Sequence, residues 1–419
     1  MTSASIGSQK SQNETKPSLV ESSAKKTVLS MLRKLEIGHL SLTDGCDTYH
    51  FGQHLDDTKS HGHINVHHQS MYRDIILSGS IGAGESYIRG AWSSSDLVGL
   101  VRVFCQNISH INKIDQSRPL YRRLATGLFH LLNANSLSGS KKNIAAHYDL
   151  GNSFFELFLD KTMMYSSAVF PNTNASLEEA ASHKLDLICQ KLNLSETDHL
   201  LEIGTGWGGM AIHAASKYGC RVTTTTISRQ QYEYAQKAVR SAGLEDKITL
   251  LLEDYRELTG TYSKLVSIEM IEAVGHKQYP TYFSQCSKLL ENDGLMCIQA
   301  ITINDQRYQS SLRSVDFIQR YIFPGGCLPS NEVIATSVSK YTDMQVVSLQ
   351  DIGLHYAETL ASWKSRFERQ LNAVKEQGFD DDFIRMWDFY LSYCEGAFRE
   401  RCISTAHFVF AKPKALLGS

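Results

Sequence analysis

Hydrophobic and polar residues alternate in short stretches over the first third of the chain, and turn residues such as Asp44-Gly45 separate them. Alternation with a period of two is typical of half-buried strands. The pattern predicts a small, mostly antiparallel sheet with strands near residues 39–42, 49–51 and 63–66. Short helices are predicted from Lys25 to Leu35 and from Asp96 to Gln106.

From Asn143 onward the pattern changes to buried apolar strands that alternate with helical segments. Strands are predicted over residues 199–203, 220–227, 247–252, 264–269 and 294–303, and helices over 228–242, 278–290 and 383–399. This βαβαβ order implies parallel strands with ligands at their carboxyl ends. The predicted fold class is therefore α/β, with a doubly wound, mostly parallel, Rossmann-like sheet and a smaller N-terminal α+β domain.

The same patterns divide the chain into segments. Residues 1–26 are polar and predict a disordered tail, and residues 27–135 predict one compact module. A Ser-, Asn- and Gly-rich linker at 133–142 leads to the second domain, over 143–412. Within it, residues 305–340 are too long for a simple connection and predict a lid inserted over the site.

Composition narrows the function classes. The 419 residues are 42% hydrophobic and 21% charged with a net charge of −2, which is ordinary for a globular protein and does not favour nucleic acid as a partner. No apolar run reaches the roughly 18 residues of a spanning helix, and the N-terminus lacks the apolar core of a secretory signal. Nine cysteines without a CxxC pair indicate a reducing compartment, so we expect a cytoplasmic protein.

A glycine-rich loop, Gly204 to Gly209, lies between a predicted strand and a predicted helix. Glycines there allow a sharp turn and close approach to a ligand. A nicotinamide site would need an acid about 20 residues later, but the second strand ends in Thr223–Ile227 without one. Glu202 instead precedes the first glycine, as in methyltransferases, and Asp254 can lie near an adenine. A purely structural glycine turn is the alternative.

Several motifs, in the same order along the chain, resemble the cyclopropane-fatty-acyl-phospholipid synthase family, which includes mycolic acid cyclopropane synthase-like enzymes. These motifs are His147–Asn152, Met164–Ala168, Glu202–Gly208, Asp254–Arg256, Met270–Gly275, Tyr321–Gly326 and Tyr393–Arg399. The resemblance covers about 143–412 and implies a class I methyltransferase that uses S-adenosylmethionine. Residues 27–135 resemble, more loosely, the family's small lipid-associated module.

The resemblance also implies site residues. Cofactor contacts are expected at Tyr165, Ser166, Glu202, Gly204, Gly206, Gly208, Thr226, Ile227, Gln231, Asp254 and Tyr255. A bicarbonate ion, bound by the family near the transferred methyl, is expected at Ser167, Glu272, Gln299, Tyr356 and the backbone of Ile301. The family usually has Cys at the position of Ser167 and His at that of Gln299. Both replacements can still form hydrogen bonds to an anion, but Gln299 cannot titrate near neutrality.

The implied chemistry adds the sulfonium methyl to a cis double bond and leaves a carbocation that aromatic faces can stabilise. Phe317, Tyr321 and Phe323 could form such a wall, although a helix core stripe has the same spacing. Proton loss from the new methyl closes a cyclopropane ring, with the bicarbonate as base and Glu272 orienting it. The alternative for Glu272 is a capping role at the strand end. Without ring closure the product would be a methylene or methyl-branched chain, which is the alternative.

Two further groups of residues have competing interpretations. Cys394 matches a family cysteine that is a minor catalytic candidate, but in a predicted helix a buried structural cysteine is the commoner case. His61, His63, His67 and His68 invite a metal interpretation, yet no cysteine or carboxylate completes a ligand set. We therefore predict no metal site.

The predicted partners are unsaturated phospholipid acyl chains, reached peripherally at the inner face of the membrane, with no nucleic acid. The oligomeric state is not determined by the sequence, and a homodimer is one candidate. Two other function classes compete with the methyltransferase: a dinucleotide-dependent oxidoreductase, which would retain a nicotinamide with its own absorbance, and a non-catalytic lipid-binding protein, which would release no S-adenosylhomocysteine.

Overall fold

The computed structural model describes residues 19–52, 60–108 and 150–416. Its N-terminal part forms a four-stranded sheet of order β2-β1-β3-β4, from β1 (His39–Asp44), β2 (Asp47–Gly52), β3 (His61–Val66) and β4 (Trp92–Ser93). The sheet is mixed, because β1 pairs antiparallel with β2 but parallel with β3. Strand β3 also pairs antiparallel with β4, so two of the three pairings among the described strands are antiparallel, as predicted. The parallel pairing of β1 and β3 was not predicted, because alternation fixes which face of a strand is buried but not which strands become neighbours.

The larger sheet has seven strands in the order β10-β11-β9-β8-β5-β6-β7. Its strands are β5 (His199–Ile203), β6 (Arg221–Thr225), β7 (Ile248–Leu251), β8 (Tyr262–Ile268), β9 (Leu290–Ile303), β10 (Gln345–Asp351) and β11 (Ile403–Ala411). Strands β5 to β9 pair in parallel, whereas β11 is antiparallel to both β9 and β10. The predicted doubly wound, mostly parallel sheet is confirmed, and the antiparallel pair at its edge was not predicted.

The α-helices of the described residues are Leu19–Leu32, Ser70–Ser78, Ser80–Ile88, Leu97–Gln106, Asn152–Phe155, Leu177–Lys191, Gly209–His213, Arg229–Ser241, Ile271–Val274, Tyr279–Leu289, Asp305–Ser311, Phe317–Tyr321, Asn331–Tyr341, Gly353–Arg369, Leu371–Glu376 and Asp381–Arg399. No helix among these residues is long and apolar enough to span a membrane. The first helix begins at Leu19, inside the segment that was predicted to be a disordered tail. Residues 1–18, the predicted linker at 133–142, and His147 to Asp149 lie outside the described ranges.

The N-terminal part shares its hydrophobic core with the C-terminal helices. Gly84 lies so close to the segment 305–340 that a Cβ there would be 2.5 Å from the ring of Phe317. A Cβ at Gly396 would likewise be 2.7 Å from Val101. The Tyr87 hydroxyl donates to Asp388 at 2.6 Å across the same contact. The two parts of the chain are therefore packed together through small residues and buried aromatic rings.

Candidate active site

The glycine loop after β5 is shaped by backbone conformations that favour glycine. Gly204, Gly206 and Gly208 have φ angles of 103°, 53° and 95°. A Cβ at Gly206 would meet no atom of the described residues within 4 Å, so this part of the structure leaves space beside the loop. A Cβ at Gly204 would lie 3.4 Å from the Met270 side chain. The loop can therefore hold a ligand at the sheet's carboxyl edge, next to the segment that follows β8.

Glu202 lies beneath this loop rather than beside the open space. Its carboxylate accepts a hydrogen bond of 2.6 Å from the Thr224 hydroxyl, which in turn is 2.7 Å from the Thr205 hydroxyl. Burial raises the pKa of Glu202 to about 8. The contacts of this residue organise β5, β6 and the loop between them, so any effect on a cofactor passes through the loop.

The end of β6 supplies polar groups on the other side of the loop. The Thr226 hydroxyl donates to the Gln231 side-chain oxygen at 3.0 Å and accepts from the Ser228 amide at 3.1 Å. These neutral groups stand where a dinucleotide enzyme would have an acid. Ile227 lies between them in sequence and is half-buried.

The third predicted cofactor segment follows β7. Both carboxylate oxygens of Asp254 are paired with the Arg256 guanidinium, at 2.8 and 2.7 Å. Tyr255 is half-buried and packs edge-on against Tyr282, with ring centroids 5.6 Å apart. Because Asp254 is 3% exposed and ion-paired, it holds the segment in place, and Tyr255 is the residue that can present a flat face to a ligand.

Tyr165 and Ser166 belong to the loop between the helices Asn152–Phe155 and Leu177–Lys191. Tyr165 stacks on Trp363 with a centroid distance of 5.2 Å and an interplanar angle of 25°, and its hydroxyl is 2.9 Å from that of Tyr390. Ser166 accepts a hydrogen bond of 2.9 Å from the fully buried Lys184 ammonium. Burial lowers the pKa of Lys184 to about 8, while the nearby Glu269, Asp160 and Glu202 carboxylates oppose the shift.

Glu269, directly after β8, lies at the centre of the residues predicted to bind bicarbonate. Its Oε1 accepts from the Ser167 amide at 2.8 Å and from the Gln299 side-chain nitrogen at 2.7 Å. Its Oε2 accepts from the Tyr356 hydroxyl at 2.9 Å. Burial raises the pKa of Glu269, and these donors counteract the rise. Three of the predicted ion ligands therefore bind a carboxylate of the chain itself.

Glu272 lies one short turn further on, in the helix Ile271–Val274. Its Oε1 accepts a short hydrogen bond from the Ile301 amide, the backbone group predicted to bind the ion. Its Oε2 is buried and has no hydrogen-bond partner among the described residues. Burial, with the neighbouring Glu269 charge, raises the pKa of Glu272 to about 8. Glu272 is therefore mostly protonated at neutral pH.

The residues do not fit a bicarbonate ion in the way the sequence suggested. The Ser167 amide, Gln299 and Tyr356 are engaged by Glu269, and the Ile301 amide is engaged by Glu272. The Ser167 hydroxyl turns away and donates to the Ala168 carbonyl at 2.9 Å. A further anion here would compete for the same donors and would face like charge. The expected ligand set is thus corrected: its members meet, but around a glutamate.

The predicted aromatic wall divides between two places. Phe323 faces Tyr165 and Tyr390, with ring centroids 6.3 and 6.2 Å away. Phe317 instead packs on Phe389 at 4.7 Å in the core, and the Tyr321 hydroxyl donates to Glu85. The site wall consists of Phe323 together with Tyr165, Tyr390, Trp363 and Tyr356; of these additional residues, Trp363 and Tyr390 were not singled out from the sequence.

The structure also describes Cys394, a catalytic candidate, and the N-terminal histidines His61 and His67, which were considered as metal ligands. Burial raises the pKa of the Cys394 thiol, so it remains protonated and is not a nucleophile. His67 is 2.8 Å from the Ser93 hydroxyl, and His61 lies edge-on to His39 with ring centroids 6.0 Å apart. Within residues 19–52, 60–108 and 150–416, no group of three or more metal-ligating side chains is found.

Glu269 was the main residue that sequence reasoning missed. It ended a predicted strand, 264–269, and a carboxylate at the end of a parallel strand is a signal that could have identified it. Lys184 and His407 gave no such signal, because one lies within an amphipathic helix and the other within a β-strand.

A Rossmann-like sheet, a glycine loop with open space beside it, and neutral residues at the end of β6 define a methyltransferase that uses S-adenosylmethionine. The chain matches the family described as mycolic acid cyclopropane synthetase over residues 135–408, and it belongs to that family.

The relatives agree with this class. The chain is 36% identical over 337 residues to the tuberculostearic acid methyltransferase UfaA1 of Mycobacterium tuberculosis, covering 79% of this chain and 78% of that protein. It is 34% identical over 350 residues to the cyclopropane-fatty-acyl-phospholipid synthase of Escherichia coli K12, covering 83% and 87%. The mycolic acid cyclopropane synthase CmaA1, solved in complex with SAH and CTAB, aligns with a TM-score of 0.61 at 31% identity, over 65% of this chain and 98% of CmaA1. The chain is thus a lipid methyltransferase of the cyclopropane synthase type.

We expect Glu272→Gln to reduce turnover by about 100-fold while cofactor affinity stays within about threefold, because an amide cannot exchange a proton in the site.

The Glu272→Gln variant should also remove one source of pH-dependent instability. The Glu272 pKa is about 8 in the folded protein against an ordinary 4.5, so the native state binds the extra proton and loses stability as pH rises between these values. Urea unfolding at about pH 5 and pH 8 should therefore shift in favour of the variant at the higher pH. If the stability difference between wild type and variant were the same at both pH values, the raised pKa of Glu272 would be contradicted.

Proposed function

We propose that this enzyme transfers the methyl carbon of S-adenosylmethionine to a cis double bond in an acyl chain of an unsaturated phospholipid, and that ring closure to a cyclopropane follows. The observation that carries the proposal is a juxtaposition at one edge of the sheet. Met270, which lies between Glu269 and Glu272 in sequence, contacts the position where a Gly204 Cβ would be, at 3.4 Å. The cofactor loop and the two acids are therefore neighbours.

We propose that the cofactor is held by the loop from Gly204 to Gly208, by Thr226, Ile227 and Gln231 at the ribose end, and by Tyr255 at the adenine. Glu202 and Asp254 act through the segments they brace. Tyr165 and Ser166 cover the donor from above. When bound, S-adenosylmethionine supplies an electrophilic methyl on a sulfonium.

The residues around the acids suit the rest of the reaction. An alkene is a weak nucleophile, so it must be held close to the donor and in line with it. Tyr165, Phe323, Tyr390 and Trp363 present aromatic faces and edges that can exclude water and stabilise a cation on the acyl chain. A buried acid can then accept the proton that leaves.

The relatives support both products. One is named a cyclopropane-fatty-acyl-phospholipid synthase and another a tuberculostearic acid methyltransferase. We favour the cyclopropane, because an acid fixed by several donors beside the site can be aimed at the new methyl group. A methylene or methyl-branched product is the second candidate. A methyl-branched alkene forms when a chain carbon loses the proton, whereas a methylene forms when a hydride shift along the chain precedes proton loss from the methyl. Since an acyl chain lies within a bilayer, we propose that the enzyme works peripherally at the membrane surface on its cytoplasmic side.

The proposal is tested by incubating the purified chain with vesicles of a phospholipid that has one cis double bond, together with methyl-labelled S-adenosylmethionine. We expect label in the lipid and one S-adenosylhomocysteine for each methyl incorporated. Vesicles of the saturated phospholipid are the control and should take up no label. Labelled lipid that takes up no hydrogen under mild catalytic hydrogenation is the cyclopropane. Labelled product that gains two hydrogens would establish a methylated alkene, either the methylene or a methyl-branched alkene, in place of the cyclopropane. Cofactor turnover without lipid labelling would contradict the proposed substrate.

A further inference from the structure

We propose that Glu269 is the built-in catalytic base of this enzyme and occupies the place of an exchangeable bicarbonate ion. The reaction that this base serves rests on the proposed function. The position of the carboxylate does not depend on it. Its geometric basis is the convergence of three separate parts of the chain on one side chain. The Ser167 amide, the Gln299 amide nitrogen and the Tyr356 hydroxyl donate to it at 2.8, 2.7 and 2.9 Å.

The backbone of Glu269 is strained in a way that points to a functional role. Its φ angle is 47°, in the left-handed region that a non-glycine residue seldom adopts. The Glu269 amide donates to the Gln299 carbonyl at 2.7 Å, so backbone and side chain are both tied to that residue. Glycine would fit this backbone without strain but would supply no carboxylate. The strained backbone position is therefore occupied by a residue whose carboxylate lies among the donors that were expected to bind the bicarbonate ion.

A chain of hydrogen bonds leads from Glu269 toward Lys191, a half-buried cation. The Gln299 oxygen is 2.9 Å from Nε2 of His407, its cross-strand neighbour, and Nδ1 of that imidazole is 2.8 Å from the Lys191 ammonium. Since an ammonium can only donate, Nδ1 accepts, Nε2 carries the hydrogen and Gln299 is oriented with its nitrogen toward Glu269. Gln299 thus acts as a positioning residue that presents a donor to the carboxylate, a role that requires no titration.

The proposed step balances without any external anion. After methyl transfer the acyl chain carries a cation next to the new methyl group. A C–H bond of that methyl breaks, its electron pair forms the third ring bond, and the proton goes to a carboxylate oxygen of Glu269.

The test compares the wild type with Glu269→Gln and Glu269→Gly, in buffers freed of carbon dioxide and in buffers with added bicarbonate. We expect wild-type turnover to be the same in both. Glu269→Gln should lose at least about 1,000-fold under either condition, because the amide fills the space but accepts no proton. Glu269→Gly leaves the donors facing an open position on a relaxed backbone, so its turnover should fall equally far and recover at least tenfold with bicarbonate.

A second measurement separates this inference from the proposed function, since it needs no lipid. Calorimetric titration with bicarbonate should show binding to Glu269→Gly and none to the wild type or to Glu269→Gln. Bicarbonate binding or activation in the wild type would overturn the inference, as would turnover of Glu269→Gln within tenfold of wild type. A folded Glu269→Gly variant that binds no bicarbonate would also count against it. If the wild type instead transfers no methyl to any unsaturated lipid, the proposed function fails while the titration still decides whether Glu269 fills the anion position.

Discussion

Gly206→Val should abolish binding of S-adenosylmethionine while leaving the circular dichroism spectrum nearly unchanged. Gly206 has a φ of 53°, and a Cβ there would have no atom from the described part of the chain within 4 Å. In the proposed site the cofactor occupies that space, so the added methyl groups displace it. Calorimetric titration measures the effect, and we expect affinity to fall by at least about 100-fold, because binding within this loop tolerates no extra volume.

The matched control is Gly243→Val. Gly243 has a φ of 66°, and its Cβ would also meet no atom within 4 Å, but it lies after the helix Arg229–Ser241, at the end away from the loop. Both variants carry a similar backbone cost, about 1–2 kcal/mol for a side chain in the left-handed region. Only Gly206→Val should lose the cofactor. Equal losses in the two variants would indicate general destabilisation, and undiminished binding by Gly206→Val would refute the assignment of the loop.

Phe154→Ala should lower the free energy of unfolding by about 3–5 kcal/mol, the usual cost of removing a fully buried aromatic ring. Phe154 is 0% exposed. Its ring centroid lies 5.0 Å from that of Phe379, 5.2 Å from Phe383 and 4.9 Å from Trp387. Because this cluster joins the start of the second domain to its last helices, the cavity cannot collapse without moving several rings. Chemical unfolding should show a lower midpoint.

Tyr341→Ala is the control for the loss of an aromatic ring at the surface. Tyr341 is 40% exposed at the end of the helix Asn331–Tyr341, so its truncation should change stability by about 0.5 kcal/mol or less. Cofactor binding should survive in both variants under conditions where they are folded. If Phe154→Ala were as stable as Tyr341→Ala, the aromatic cluster would not be a tightly packed part of the core.

Much of the larger domain could be predicted from local pattern. The strands near 199–203 and 248–251 and the helix Arg229–Ser241, with Ser228 as its N-cap, follow from apolar periodicity and a capping residue. The strand at 403–411 was not predicted. Ser404, Thr405 and His407 interrupt its apolar residues, so its pattern is irregular. Its antiparallel pairing with β9 depends on residues about a hundred positions away. The parallel pairing of β1 and β3 was missed for the same reason.

The sequence by itself determined the class of this protein. The glycine loop follows a predicted strand, and the motifs of the family occur in the same order along the chain. It also identified Ser167, Gln299 and Tyr356 as groups that share a centre. Only the tertiary structure decided what occupies that centre. Glu269 is adjacent in sequence to none of these residues, and its reach depends on a left-handed backbone angle and on the register that places β8 beside β9. Likewise, the sequence did not distinguish between Phe317, Tyr321 and Phe323 as aromatic residues of the site wall. In the structure Phe317 packs against Gly84 and Phe389 in the core. Which side chain faces a site is set by long-range contacts, and local pattern contains no information about them.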